Sequence, residues 1–489
     1  WWPRGHGEQN LYKFNVLVKS ESCTQTISRE IGIRHVVIDR PIDARGQGFE
    51  IHVNGYPIYS KGANWIPADS FTTRIKATKY QKLIDDACNA NMNTLRVWGG
   101  GIYEPDIFYE LCDKKGIMVW QDFMFACSMY PSHSQFLHSI KKEVSYQINR
   151  LKSYACIILW CGNNEVASGW LKWGWREILP QSVWDDYKKI FHDIIPFICN
   201  QYDKSRFYWP SSPGHSLSIP NEDQIYGRGD NHYWGVWHEG KSVEAYSENI
   251  GRFMSEYGMQ SLPSIVTIDN FVEKKYQTID SDILKAHQKA SLGIENLINY
   301  TKQYYRMNND FRSNIILTQL FQAEAIKFAV EAHRRSMPYC MGTLYWQFND
   351  CWPGISWSSI DYSGFWKAIH YYARNFFRPI LLSFYDQKDY IEVHVVNDMH
   401  KSLFARLELT SHKFDGDTIF QESLNVKIKP FSSSMIERIK KTTLVGNNDH
   451  SKIYTRATIS SEDKLLAFND IFLEKPKFRD IKKPKYDYK

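Results

Sequence analysis

Hydrophobic and polar positions change rhythm twice along the chain. Up to residue 48 the period is short. Leu11, Tyr12, Phe14, Val16 and Val18 come near alternation, and Ile31, Ile33 and the run Val36-Val37-Ile38 continue it, which predicts strands. A Gly-rich stretch, Arg45-Gly46-Gln47-Gly48, then breaks the pattern. From residue 49, short apolar runs alternate with stretches of helical period. The runs fall at 58–63, 94–98, 116–123, 156–161, 206–211, 231–234, 252–257 and 342–348. Between them, segments such as 134–152 place Phe136, Ile140, Val144, Ile148 and Leu151 on one helical face. Segments 104–115, 183–200, 282–307 and 315–336 behave alike. After Phe377 the helical period stops, and 391–396, 404–409, 424–428 and 454–459 read as strands at regular spacing.

Eight short buried strands, mostly with crossover helices between them, predict a (β/α)8 barrel over residues 49–377. A doubly wound sheet is the rival, disfavoured because no Gly-rich nucleotide fingerprint follows the first strand. The expected fold class is therefore α/β, a TIM barrel flanked by β-sandwich (immunoglobulin-like) domains. Residues 1–48 hold too few strands to close a sandwich and read as the C-terminal part of an incomplete one. Residues 378–489 read as a C-terminal β-sandwich, with a mobile Lys-, Pro- and Tyr-rich tail from Lys475.

Composition narrows the function classes. The chain has 489 residues, 43% hydrophobic and 23% charged, an ordinary globular balance. No apolar run approaches the roughly 18–20 residues that cross a bilayer. The net charge of +6 is spread without a Lys/Arg block, so neither nucleic acid nor a membrane surface is an expected partner. The start, Trp1-Trp2-Pro3, has neither an initiator Met nor a signal segment and reads as the interior of a longer chain. Nine scattered cysteines without a C-x-x-C pair suit neither a zinc site nor a disulfide scaffold. One sequon, Asn299-Tyr300-Thr301, is compatible with a secretory route. An aromatic content of 15%, with frequent Trp, is the feature that departs from the ordinary.

Barrel enzymes build their sites at the C-terminal ends of the strands. The fourth strand ends Trp160-Cys161-Gly162-Asn163-Asn164-Glu165 and the seventh Phe253-Met254-Ser255-Glu256-Tyr257-Gly258. Each brings a carboxylate to the rim, and these two strands face each other. Either glutamate alone could be a rim salt bridge; the opposed pair suits glycosidic bond cleavage, in which one group protonates the leaving oxygen and the other attacks the anomeric carbon or activates water. Competing chemistries lack their signatures. Gly99-Gly100-Gly101 is not followed by the Lys-Ser/Thr of a phosphate loop, and no Gly-x-Ser-x-Gly elbow is present. His232 and His238 lack a His-Glu-x-x-His context, so no metal or other cofactor is expected.

The segments 121–131, 160–165 and 254–258 closely resemble β-mannosidases of glycoside hydrolase family 2. So do Lys61-Gly62-Ala63-Asn64-Trp65-Ile66-Pro67, Arg96-Val97-Trp98-Gly99-Gly100-Gly101 and Tyr345-Trp346-Gln347-Phe348-Asn349-Asp350. The likeness spans residues 1–377 and fades through the C-terminal sandwich. It implies a retaining exo-hydrolase that removes terminal β-mannose from manno-oligosaccharides or glycoprotein glycans. By motif position Glu165 would be the acid/base and Glu256 the nucleophile, with Asn164 on the sugar 2-hydroxyl. Trp346 would form the floor under the ring and Trp98 and Trp173 further walls. Asp122 and Cys127 would line the pocket from the third βα segment, and Tyr233 and Trp234 would complete it, a tyrosine donating to the nucleophile. Cys127 fits a small wall group better than a nucleophile, as no His or Asn dyad is evident beside it. The resemblance also implies a lysosomal address and, as partners of this chain, the N-terminal jelly-roll and completed sandwich of a longer protein. A galactoside or glucuronide specificity and a catalytically silent carbohydrate-binding protein are the alternatives.

Overall fold

The computed structural model describes residues 1–214 and 227–481. Eight strands form its central sheet: β1 (Ser60–Trp65), β2 (Thr94–Val97), β3 (Met118–Asp122), β4 (Ile157–Cys161), β5 (Phe207–Trp209), β6 (Asp230–His232), β7 (Phe253–Glu256) and β8 (Gly342–Tyr345). They run parallel in the order 5-4-3-2-1-8-7-6, the cyclic order of a (β/α)8 barrel. Among the described residues no ladder joins β5 to β6; side chains span that seam. Asp230 of β6 accepts from Trp209 Nε1 at 2.7 Å, from the Gly214 amide at 2.7 Å and from Ser212 Oγ at 2.6 Å.

Strands buried on both faces read as apolar runs, and β2, β3, β4 and β8 are buried at every position. Close packing dictates one glycine: a Cβ on Gly62 of β1 would stand 1.7 Å from the Thr94 carbonyl oxygen of β2. At the opposite end from the rim, fully buried Phe49 fills the barrel, its ring 5.0 Å from Trp209, 5.6 Å from Phe253 and 5.7 Å from Trp120. Outside the sheet, helix Ser134–Leu151 buries Leu137, Ile140, Val144, Ile148 and Leu151. The expected face is thus displaced by one position at its start, with Phe136 half-buried.

Two helices differ from the periodicity. The stretch expected over 282–307 is two helices, Asp282–Ala286 and Gly293–Tyr304, because Leu292 turns left-handed at φ 54°. The stretch over 183–200 is α at both ends but π over Lys189–Ile194. No helix among the described residues is long and apolar enough to cross a membrane.

At the N-terminus, Leu11–Lys19 and Thr24–Gly32 form a two-stranded antiparallel hairpin that leaves Tyr12, Phe14 and Leu17 exposed. Val36–Asp39 does not join it. That strand pairs across residue 48 with Glu50–Val53, which in turn pairs with Tyr56–Ile58. Beyond the barrel come β9 (Ile380–Asp386), β10 (Tyr390–Asn397), β11 (Leu403–Lys413), β12 (Thr418–Ile428), β13 (Ser432–Lys440), β14 (Ile453–Ser461) and β15 (Lys464–Ile471). They make antiparallel sheets of order 9-10-13 and 12-11-14-15 around a separate apolar core that includes Leu382, Val395, Leu407 and Ile459. The tail expected to be mobile begins as a turn of 3-10 helix, Pro476–Phe478, and the Arg479 guanidinium lies 3.8 Å over Phe472; residues 482–489 lie outside those described.

The sandwich is pinned to the barrel by a buried charge cluster. Asp398, after β10, receives Lys61 Nζ of β1 at 2.7 Å and Arg334 Nη2 at 2.8 Å. Burial opposes its ionisation, but Arg334 and Lys61 outweigh that and hold the carboxyl below its usual range. Removing one partner of such a cluster strands the others in a dry interior. Asp398→Ala therefore destabilises the fold by about 3–5 kcal/mol, read as a lowered urea midpoint. Asp282→Ala, at an exposed pair with Lys285, moves it by less than about 1 kcal/mol. Equal shifts for the two variants would refute the pinning role.

Candidate active site

Four strand ends converge at the barrel rim. Arg96, the charged residue of otherwise apolar β2, is fully buried and spreads its guanidinium across them. Nη2 donates to Asp122 Oδ2 at 2.8 Å and Asn164 Oδ1 at 2.7 Å; Nη1 donates to Asn64 Oδ1 at 2.8 Å and Glu256 Oε1 at 2.5 Å. Burial disfavours its charge, but Asp122 and Glu256 overcompensate and keep it a permanent cation.

Glu256 closes β7. Glu165 follows β4 at the N-terminus of helix Val166–Lys172, with φ 60°, a left-handed backbone that a non-glycine residue adopts under constraint. Its amide donates to the Ser212 carbonyl at 2.8 Å. Between the two carboxyls stands His232 of β6, with Nδ1 2.8 Å from Glu165 Oε1 and 3.5 Å from Glu256 Oε2. The Nδ1 atom and one oxygen of each carboxylate all lie within 4.8 Å of one another. Three such donors at this spacing could also hold a metal ion; here Arg96 supplies positive charge to Glu256.

The proton inventory follows from the hydrogen bonds. Ser212 Oγ donates to Asp230 Oδ2 at 2.6 Å, so at 3.0 Å it accepts from His232 Nε2–H. That leaves Nδ1 as the nitrogen that gains and loses a proton, facing Glu165. Burial lowers the His232 pKa, but the Glu256 and Glu165 carboxylates prevail and raise it. Burial raises Glu165, yet the bond and charge of His232 and the charge of Arg96 lower it overall. Burial also raises Glu256, and with the charge of Glu165 it prevails over His232 and Arg96. One proton is thus shared along Glu165 Oε1 and His232 Nδ1, and the three groups titrate as a unit.

The other expected site residues divide. Asn164 and Cys127 join the carboxylates: Asn164 Nδ2 donates to Cys127 Sγ at 3.4 Å and Glu165 Oε2 at 3.5 Å, and Cys127 Sγ donates to Glu165 Oε2 at 3.5 Å. Burial and the two glutamates push the Cys127 thiol up to about 12, so it stays protonated. Trp98 and Trp346 are half-buried and meet edge to face at 5.0 Å. Trp234 reaches the same side. A Cβ on Gly258, two residues after Glu256, would stand 3.2 Å from Trp234 Cη2 and 2.5 Å from the Trp346 carbonyl oxygen.

One residue stands elsewhere than expected. Asp122 has no exposed surface, so it cannot line a pocket; it anchors Arg96, the Gly99 amide at 3.0 Å and Trp120 Nε1 at 2.9 Å. The Tyr233 hydroxyl accepts from Asn249 Nδ2 at 3.1 Å and its ring packs on Tyr246. Trp173 is 46% exposed at the outer rim, edge-on to Trp175. Conversely, Arg96 and His232 carry the electrostatics of the site without having been singled out for it. The readable signal is an arginine inside a short buried strand; a lone His232 reads equally as a metal ligand.

With the geometry in place, comparison gives consistent relatives. A family model for the mannosidase Ig/CBM-like domain matches residues 389–477. Beta-mannosidase of Bos taurus is 35% identical over 452 residues, covering 87% of this chain and 51% of that protein. Beta-mannosidase of Mus musculus is 37% identical over 441 residues, covering 84% and 49%. The crystal structure of β-D-mannosidase from Dictyoglomus thermophilum superposes with a TM-score of 0.92 at 36% identity, covering 98% of this chain and 58% of that one. The chain spans about half the length of the curated relatives it matches.

The shared proton gives a test independent of turnover. In 15N-histidine NMR spectra, His232 should titrate above its ordinary 6.5. In Glu165→Gln, which removes one of the two carboxylates that raise it, the midpoint should fall. An unchanged midpoint would break the Glu165–His232 coupling.

Proposed function

Since the chain belongs to glycoside hydrolase family 2, alongside the β-mannosidases it matches, we propose that it is a retaining exo-β-mannosidase. It hydrolyses terminal non-reducing β-D-mannose from manno-oligosaccharides or glycoprotein glycans by double displacement. The observation that carries this reading is the carboxylate spacing. One oxygen of Glu165 and one of Glu256 lie within 4.8 Å of each other, which is nearer the roughly 5–5.5 Å spacing of retaining enzymes than the roughly 6.5–9.5 Å of an inverting pair.

The residues divide the work as follows. Arg96 holds Glu256 Oε1 and offsets part of the burial that raises this carboxyl, and Oε2, 3.5 Å from His232 Nδ1, attacks the anomeric carbon. Glu165 gives its proton to the departing glycosidic oxygen. His232 Nδ1, 2.8 Å away, holds that proton in the empty site and returns it when substrate displaces the ionic pairing. In the second step Glu165, now a carboxylate, takes a proton from the water that breaks the glycosyl–Glu256 bond. Asn164 has its Oδ1 fixed on Arg96, so Nδ2 is the end that donates to the sugar 2-hydroxyl. Trp346, Trp98 and Trp234 supply apolar faces for the ring's C–H surface, Cys127 a small wall beside Glu165, and Trp173 an outer wall toward the leaving group. A lysosomal address belongs to the same reading and rests on the resemblance to the animal enzymes.

Chromogenic β-mannoside, β-galactoside and β-glucuronide assayed side by side test the specificity. The mannoside should be turned over fastest, and Glu256→Ala should abolish that turnover. Glu165→Ala should cost about 10²–10⁴-fold on substrates with poor leaving groups and far less on activated ones. Turnover surviving in Glu256→Ala, or a Glu165→Ala loss that is flat across leaving groups, would overturn these roles.

A further inference from the structure

Beyond β8 the chain continues through Trp346 to Asp350, whose side chain touches none of the catalytic residues. Asp350 is 5% exposed, and three donors converge on its carboxylate. Ser356 Oγ donates to Oδ2 at 2.8 Å, Ser358 Oγ to Oδ2 at 2.6 Å and Gln347 Nε2 to Oδ1 at 3.2 Å. The carboxylate thereby ties the segment that carries Trp346 to the one that carries Trp357. Backbone bonds run alongside: the Gln347 amide donates to the Trp357 carbonyl at 3.3 Å, and the Gln347 carbonyl accepts from the Ser359 amide at 3.0 Å.

The two indole-bearing segments meet beside the nucleophile. A Cβ on Gly258 would stand 2.5 Å from the Trp346 carbonyl oxygen and 3.0 Å from Trp357 Cδ1. The Trp357 ring in turn lies edge-on to Trp234 at 6.0 Å. The Trp346 backbone, Trp357 and Trp234 therefore surround Gly258, and their relative placement depends on how the 346–350 and 356–359 segments are held together.

We propose that Asp350 is a positioning residue of the sugar pocket, setting through Gln347, Ser356 and Ser358 where the Trp346 and Trp357 indoles stand beside Glu256. The proposal rests on the reading of this pocket as a glycoside site. An ionised carboxylate accepts on both oxygens, which matches three donors approaching from two segments. A carboxamide would turn an NH2 toward one set of them and open the tie.

The charge of Asp350 is itself poised. Burial raises its carboxyl to about 6 against the pull of Lys367 and the two serine hydroxyls, with Asp361 adding to the rise. Lys367, lowered by burial to about 8, donates from Nζ to the Ser356 carbonyl at 3.2 Å and the Ser261 carbonyl at 3.3 Å. A cavity of about 430 Å³ reaches Asp350 and Asp361, and Lys79, Lys82 and Tyr362 line it; the Tyr362 hydroxyl, raised by its bond to Asp69, and the Cys351 thiol, raised by burial, are further titratable neighbours. Above pH 6 the carboxylate holds all three donors. Below it, the protonated group gives up one acceptor site and the wall loosens, so sugar affinity falls with pH while the chemistry at Glu165 and Glu256 is untouched by this group.

The test is Asp350→Asn in the full chain, assayed from pH 5 to 8 on whichever chromogenic β-glycoside the unmodified protein turns over. KM should rise about tenfold while kcat stays within about threefold, the effect of a misplaced wall rather than lost chemistry. In the unmodified protein KM should climb as pH falls through about 6; in Asp350→Asn it should be high and flat. Ser358→Ala, which deletes one of the three donors, should shift KM in the same direction by less. If Asp350→Asn fails to fold by circular dichroism, Ser358→Ala decides by the same split. A KM equal to that of the unmodified protein throughout, or a loss confined to kcat, overturns the proposal. Turnover of a galactoside or glucuronide in place of the mannoside would overturn the mannoside reading, while the KM split on that sugar still judges Asp350.

Discussion

The site depends on one buried guanidinium. Arg96 sits where four strand ends meet and bonds Asp122, Asn64, Asn164 and Glu256 at once. Two carboxylates as close as Glu165 and Glu256 repel each other in a medium of low dielectric, and without a cation one would stay protonated without any control over which. Arg96 gives Glu256 a fixed counter-charge, and His232 gives Glu165 a movable one. The asymmetry between the two glutamates comes from that difference: Glu256 alone bonds the guanidinium, which cannot lose its proton, while His232, which can, stands 2.8 Å from Glu165 and 3.5 Å from Glu256.

The barrel supplies this arrangement because its interior is full. Asp122 is not exposed and never meets a sugar, yet it fixes the guanidinium from the third strand, much as Asn64 does from the first. Phe49 packs on Trp120, Trp209 and Phe253 inside the barrel. On the apolar side the same logic holds. Gly258 lets the Trp346 backbone, Trp357 and Trp234 approach within contact of the strand that carries Glu256, and Asp350 bonds the two segments that carry Trp346 and Trp357. Farther away, Lys61 of β1 is drawn to Asp398, which couples the sandwich to a strand of the catalytic barrel.

Much of this was legible in the sequence, and the reasons are specific. Strands buried on both faces leave continuous apolar runs, so seven of the eight barrel strands announce themselves, with β6 carried by little more than Asn231-His232-Tyr233-Trp234. Glutamates at the ends of two such runs are readable as a pair because barrel topology sets those ends opposite each other. Side-chain direction was not readable. Asp122 sits in the right segment, but which way it points depends on a partner distant in sequence, Arg96. The same applies to His232, whose tautomer is set by Ser212 and Asp230 across the β5–β6 seam. The pairing of Val36–Asp39 with Glu50–Val53 was hidden by the Gly-rich stretch between them, which reads as a break and is in fact the crossing of a hairpin.

The central claim is that Glu256 forms a covalent bond to the sugar while Glu165 handles the proton. Incubation with a 2-deoxy-2-fluoro-β-mannosyl fluoride, followed by peptide mass spectrometry, tests it most directly, because the 2-fluorine slows both formation and breakdown of the glycosyl-enzyme while the good leaving group speeds formation alone. The account predicts one fluoromannosyl group per chain, carried by the peptide that contains Glu256. A label on any other residue, or hydrolysis of mannoside with inversion and no trapped adduct, would contradict it.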